Sequence, residues 1–141
     1  MKILLPVDGS ACALRAVEHL IAHIEWFRAV PEIHLLHVHP PIPIGRVQAH
    51  VGHDTLSSYY LQESQSFLAA AQKKLDAAGR FHTTHIHVGP PAEIVTKLAG
   101  ELNCDLIIMG THGRSALAGL VMGSVASQTL QLAACPLLLI K

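Results

Sequence analysis

The sequence has no excess of charge of either sign. Ten Lys and Arg balance ten Asp and Glu over 141 residues. That excludes the basic footprint of a nucleic-acid-binding chain and the polybasic signal of a protein held on an anionic membrane. Long hydrophobic runs are missing too: none approaches the roughly 18 residues of a membrane span. The opening Met1-Lys2-Ile3-Leu4-Leu5-Pro6-Val7-Asp8 is interrupted too soon for a signal peptide and reads as a first strand. Cysteine is scarce. Cys12, Cys104 and Cys135 are odd in number, widely spaced and free of any Cys-x-x-Cys pair, so no zinc or redox motif is present. A reduced, cytoplasmic protein with thiols packed in its core is the expectation. Gly-Lys-Ser/Thr is absent, which excludes a P-loop, and so is the dinucleotide fingerprint Gly-x-Gly-x-x-Gly. Paired carboxylates, or a nucleophile beside its base, cannot be read from the sequence either.

What is present is apolar. Half of the residues are hydrophobic and 14% are charged, which argues for an ordered chain. The length suits one domain, residues 1–141, with a sizeable core. Lys2 to Val7 reads as a strand, and Ser10 as the cap of a helix from Ala11 to about Ala29. A strand follows at Ile33 to Val38. Residues 40–53, rich in proline, then form a long loop. A helix from Asp54 or Thr55 to Ala78 stops at Gly79. A third strand spans Phe81 to Val88, and Pro90-Pro91 leads into a helix over Ala92 to Leu102. Leu106 to Met109 makes a fourth strand. A fourth helix covers about Val121 to Ala133, and Pro136 to Ile140 makes a last strand. Such alternation predicts an α/β fold with a parallel sheet covered on both faces. Its ligand would sit at the carboxyl ends of the strands, where the strand order reverses.

One stretch carries the chemistry. After the strand at Leu106–Met109 come Gly110, Gly113, Gly119 and Gly123, then Ser124 and an apolar-periodic segment. Strand, glycine-rich loop and helix start together make a phosphate cradle: close-approaching N–H groups beside a helix N-terminus. The same pattern also fits a tight connection with no ligand.

The chain resembles the universal stress protein family over its whole length. Four pieces carry the resemblance: Pro6-Val7-Asp8-Gly9-Ser10, Leu36-His37-Val38, Val88-Gly89-Pro90-Pro91-Ala92, and Asp105 through Ser115. Nucleotide-binding members of that family have Gly, two residues, Gly, nine residues, Gly, then Ser or Thr. Gly110, Gly113, Gly123 and Ser124 match that spacing without a gap. The resemblance implies a Rossmann-like, adenine nucleotide alpha hydrolase-like fold with strand order 3-2-1-4-5. It implies binding of ATP or AMP, with or without Mg2+, and a homodimer paired through the last strand, 136–140. Carried over by position, Pro6 and Val7 line the pocket, Asp8 lies near the adenosine, and Val38 walls the adenine. Met109 and Gly110 sit under the nucleoside. Gly113, Arg114, Gly123, Ser124 and Val125 surround the phosphates. Ala116 stands where many relatives have Gly, which implies a stiffer loop and retained binding.

Several residues keep more than one reading. Asp8 can bind ribose, hold a phosphate-bound metal, or begin a turn with Gly9. Arg114 can pair with phosphate or be a solvated charge, and His112 can move a proton or simply be exposed. Eleven histidines are the compositional anomaly. His37 and His39 share one strand face and His85 and His87 another, so either a four-histidine cluster or ordinary strand residues would account for them. Trp26 and Phe27 finish the first helix's packing or, if exposed, face a partner. The overall expectation is a cytoplasmic regulatory stress protein with at most slow ATP hydrolysis. The rival expectations are a nucleotide hydrolase or adenylyl-transfer enzyme using the same pocket, and an interaction module with an empty pocket.

Overall fold

The computed structural model describes residues 1–41, 53–114 and 122–141, without the side chains of 53–57. Its elements are β1 (Lys2–Pro6), α1 (Ala11–Ala22), a 3-10 turn (Ile24–Trp26), β2 (Glu32–His39), α2 (His53–Ala77), β3 (His82–Val88), α3 (Pro91–Glu101), β4 (Leu106–Gly110), α4 (Ser124–Leu132) and β5 (Leu137–Ile140). The strands form one parallel sheet in the order β3-β2-β1-β4-β5. This is the α/β architecture expected from the alternation of strands and helices, with the strand order that the family resemblance implies.

The apolar runs become strands because both faces of the sheet are covered. Ile3, Leu5, Ile33 and Leu35 pack under α1 and α2, against Val17, Leu20, Leu68 and Leu75. Leu4, Leu36, Ile107 and Met109 pack on the other face, against Val95 and Leu98 of α3 and Ala126 of α4. Alternating residues of one strand therefore serve two cores, as strand geometry requires.

Most element boundaries differ by a residue or more from the sequence-based expectation. α1 ends at Ala22, not near Ala29. His23 leaves helical geometry at φ −117°, and the chain tightens into the 3-10 turn. Ile24 and Phe27 still pack on the core from that turn, so the apolar period outlasts the helix. Trp26 is 65% exposed. β3 begins at His82, which leaves Phe81 outside the ladder and 97% exposed. β5 begins at Leu137, since Pro136 has no N–H to give. α4 begins at Ser124 with Gly123 as its N-cap. Ala116, Gly119 and residues 42–52 of the long loop lie outside the described residues.

Candidate functional site

β1 lies between β2 and β4, so the strand order reverses beside it. At the carboxyl ends of these three strands lies a cavity of about 470 Å³. Pro6, Val7 and Asp8 follow from β1, and Val38 from β2. Met109, Gly110, Gly113 and Arg114 follow from β4, and Gly123, Ser124 and Val125 belong to the start of α4. All of them line the cavity. These are the eleven positions singled out from the sequence. Others were not: Leu36 and Pro40 beside Val38, and Pro91 and Val95 of α3. A signal for Pro91 existed, since a proline in the first turn of α3 brings that helix N-terminus to the same crevice.

Asp8 holds the rim together. Its Oδ1 accepts the Ser10 N–H at 3.0 Å. Its Oδ2 accepts the Arg114 N–H, also at 3.0 Å. Ser10 in turn accepts the Ala13 N–H at 3.1 Å and caps α1. Asp8 therefore begins the turn and faces the cavity at once.

The glycines serve different ends. A Cβ on Gly110 would lie 2.8 Å from the Cys12 carbonyl carbon and 2.9 Å from the Ala13 nitrogen. Gly110 is thus glycine because β4 presses against the first turn of α1. A Cβ on Gly113 would lie 2.6 Å from Asp8 Oδ2, so that glycine leaves room for the carboxylate. Gly123 donates its N–H to the Thr111 carbonyl at 2.8 Å and accepts from the Ser127 N–H at 3.0 Å.

These bonds narrow the supply of donors. The N–H groups of Arg114 and Gly123 are already given to Asp8 and Thr111. The N–H groups of Ser124, Val125 and Ala126 occupy the first turn of α4, where no intrahelical acceptor exists. Its first turn has no acidic residue, so its partial positive charge is not neutralised there. The Ser124 hydroxyl stands at the same place. Arg114 is exposed, and its guanidinium carbon sits 4.1 Å from the centre of the Phe67 ring, over its face. That is cation–π geometry. Phe67 also crowds Gly9, whose φ is +78°.

Behind this rim His37 is buried, 3% exposed. Its Nδ1–H donates to the Val7 carbonyl at 2.8 Å, and its ring lies 5.1 Å from that of Phe67. Burial holds the His37 imidazole below its ordinary pKa; the Val7 bond opposes this, and the nearby His39 and Arg114 charges add to it. His39 meets Glu63 at 2.6 Å, and that bond lowers the Glu63 pKa. The four-histidine cluster does not form. Ile86 packs on the α1–α2 core, which turns His85 and His87 to the opposite face. His37 packs on Phe67 of α2, on the first of these faces. His85 instead meets His34 at 3.0 Å. Among the described residues no group of three or more His, Cys, Asp or Glu is arranged for a metal.

Cys12 is buried below the cavity, with its Sγ 3.1 Å from the Ile140 carbonyl. Burial raises its pKa, but hydrogen bonds from His112 and Thr111 and the Arg15 charge outweigh it, and the net direction is down. His112 keeps a ring contact to the Thr111 hydroxyl at 2.9 Å.

Comparison with known proteins gives the following. A family model described as "Universal stress protein family" matches residues 1–141. The chain is 32% identical over 141 residues to universal stress protein MJ0531 of Methanocaldococcus jannaschii, covering 99% of this chain and 81% of that protein. The solved structure of MJ0577, from the same archaeon, superposes with a TM-score of 0.84 at 31% identity, covering 99% of this chain and 94% of that one. A universal stress protein from Archaeoglobus fulgidus, solved in complex with dAMP, shares the fold with a TM-score of 0.71 at 20% identity, covering 100% and 98%.

Proposed function

The chain belongs to the universal stress protein family, and from that premise we propose that it binds an adenine nucleotide, ATP or AMP, in the cavity at the ends of β1, β2 and β4. The observation that carries this reading is the convergence of two features. Gly110, Gly113, Gly123 and Ser124 line one cavity, and the first turn of α4 faces it with N–H groups that have no intrahelical acceptor. The cavity, about 470 Å³, falls within the roughly 300–1,000 Å³ usual for small-ligand sites.

In this reading the base lies against Val38, the nucleoside lies over Met109 and Gly110, and Asp8 takes the ribose. The phosphates take the α4 N-terminus and the Ser124 hydroxyl. Arg114, already on Phe67, contributes field more than direct contact. Magnesium would arrive on the phosphates. Both Asp8 oxygens already accept an N–H, so their remaining lone pairs are what such an ion would meet.

The protein acts as a cytoplasmic regulator, one domain per chain, with hydrolysis slow at most. No paired carboxylate is found among the described cavity residues. The chain pairs with a second copy through β5. That strand stands at the edge of the sheet, and all four of its apolar residues are only half-buried.

Isothermal titration with ATP, ADP and AMP, with and without magnesium, tests the binding. Saturable binding at one nucleotide per chain is expected. Absence of heat with all three sinks the proposal. Phosphate release near 1 s⁻¹, a common enzyme rate, would move the reading to an enzyme.

A further inference from the structure

The far end of α1 carries a second grouping of chemistry, remote from the cavity. His19 lies in the last turn of the helix and His23 is its C-cap. Residues four apart share one helix face, and the two ring centroids lie 4.2 Å apart. Both rings are half-buried and reach solvent. Because the chain leaves the helix at His23, the 3-10 turn folds Trp26 back onto the pair. Its ring lies 4.1 Å from His23 and 5.5 Å from His19.

We propose that His19 and His23 form a two-imidazole site for a borderline divalent transition-metal ion, of the copper(II), nickel(II) and zinc(II) class, with Trp26 as its wall. Three observations support it. The spacing is that of a chelating histidine pair on a helix. His23 Nδ1 lies 2.9 Å from the His19 carbonyl oxygen. A carbonyl only accepts, so Nδ1 carries the proton and Nε2 keeps the lone pair a metal needs. An outer bond of this kind is how metal-ligating histidines are ordinarily oriented. Finally, the carboxyl end of α1 bears partial negative charge, which favours a cation there. Imidazole ligands select this class of ion over magnesium or calcium. The remaining coordination positions are left to water.

The chain's one tryptophan makes the site observable. Copper(II) chloride or nickel(II) chloride titrated into the full-length protein should quench Trp26 emission saturably, with one ion per chain. Zinc chloride should compete and restore the emission. Loss of an outer-shell partner alone commonly weakens a metal by about tenfold or more; His19→Gln and His23→Gln should each weaken the quenching constant at least that much. His19→Gln leaves the C-cap bond of His23 in place, so a lost signal there does not come from a frayed helix; an unchanged thermal midpoint checks this. His82→Gln, on β3, should change nothing. Quenching that does not saturate, or that is equally strong in both His19→Gln and His23→Gln, overturns the proposal.

Discussion

The carboxylate of Asp8 accepts the backbone N–H of Arg114 at 3.0 Å, across 106 positions of sequence. With its other oxygen on Ser10, this side chain ties the end of β1 to the loop after β4, at the point where the strand order reverses. Asp8→Ala removes both acceptors. Water partly replaces them at this half-open rim, so about 1–2 kcal/mol of stability should be lost. Nucleotide affinity should fall by more than about tenfold, which is 1.4 kcal/mol. Asp8→Asn keeps one acceptor oxygen and should lie between. Urea unfolding together with calorimetric titration reads both quantities. Unchanged affinity in Asp8→Ala would remove Asp8 from the site.

The glycines should separate into a folding position and a binding position. At Gly110 the atoms in the way are backbone atoms of Cys12 and Ala13, at 2.8 and 2.9 Å. They cannot swing aside, so Gly110→Ala should push β4 from α1 and cost about 1–3 kcal/mol. At Gly113 the obstacle is the Asp8 carboxylate at 2.6 Å, which can rotate. Gly113→Val should therefore lose nucleotide binding while the fold stays intact, at a stability cost no larger than that of Asp8→Ala, whose bond to the Arg114 N–H it disturbs. A Gly113→Val protein that binds ATP like the wild type would place the cradle elsewhere.

The strands are legible because each is a short apolar run, and the glycine spacing is a local pattern; the strand order is reached through the family resemblance. The eleven cavity positions were reached through that spacing and the family resemblance, not through periodicity. What was not legible depends on distant partners. Nothing near Arg114 announces Phe67 of α2, and nothing near His34 announces His85 on the neighbouring strand. The end of α1 was misjudged for a related reason. Ile24 and Phe27 go on packing against the core after the helix has ended, so hydrophobic spacing cannot report the change from α to 3-10 geometry.

Arg114 should matter less to nucleotide binding than its place in the loop suggests. Its guanidinium is stacked on Phe67 at 4.1 Å, an interaction of about 0.5–1 kcal/mol at an exposed site. Arg114→Ala should lower stability by about that amount. Its effect on nucleotide affinity should be smaller than that of Asp8→Ala, since the N–H that meets Asp8 belongs to the backbone and survives. Phe67→Leu should reproduce the stability loss. A larger loss of affinity in Arg114→Ala than in Asp8→Ala would mean that the guanidinium leaves Phe67 for the phosphates.

Acid should loosen the fold through His37. Burial lowers the folded-state pKa of this imidazole below the ordinary value of about 6.5. The unfolded chain therefore takes up the proton first as pH falls. The contribution to stability is complete above the ordinary histidine value. It is lost progressively as pH drops below that value toward the folded-state pKa. His19 and His85 are shifted in the same direction, each by burial first and then by neighbouring histidines, and add to the slope. His37→Asn keeps a donor positioned for the Val7 carbonyl, which His37 Nδ1 reaches at 2.8 Å, and removes the titration. Thermal midpoints measured from pH 7.5 down to about pH 5, across the ordinary histidine value, should fall more steeply for the wild type than for His37→Asn. Parallel curves would show that His37 keeps its ordinary pKa in the folded protein, and that the acid sensitivity arises elsewhere.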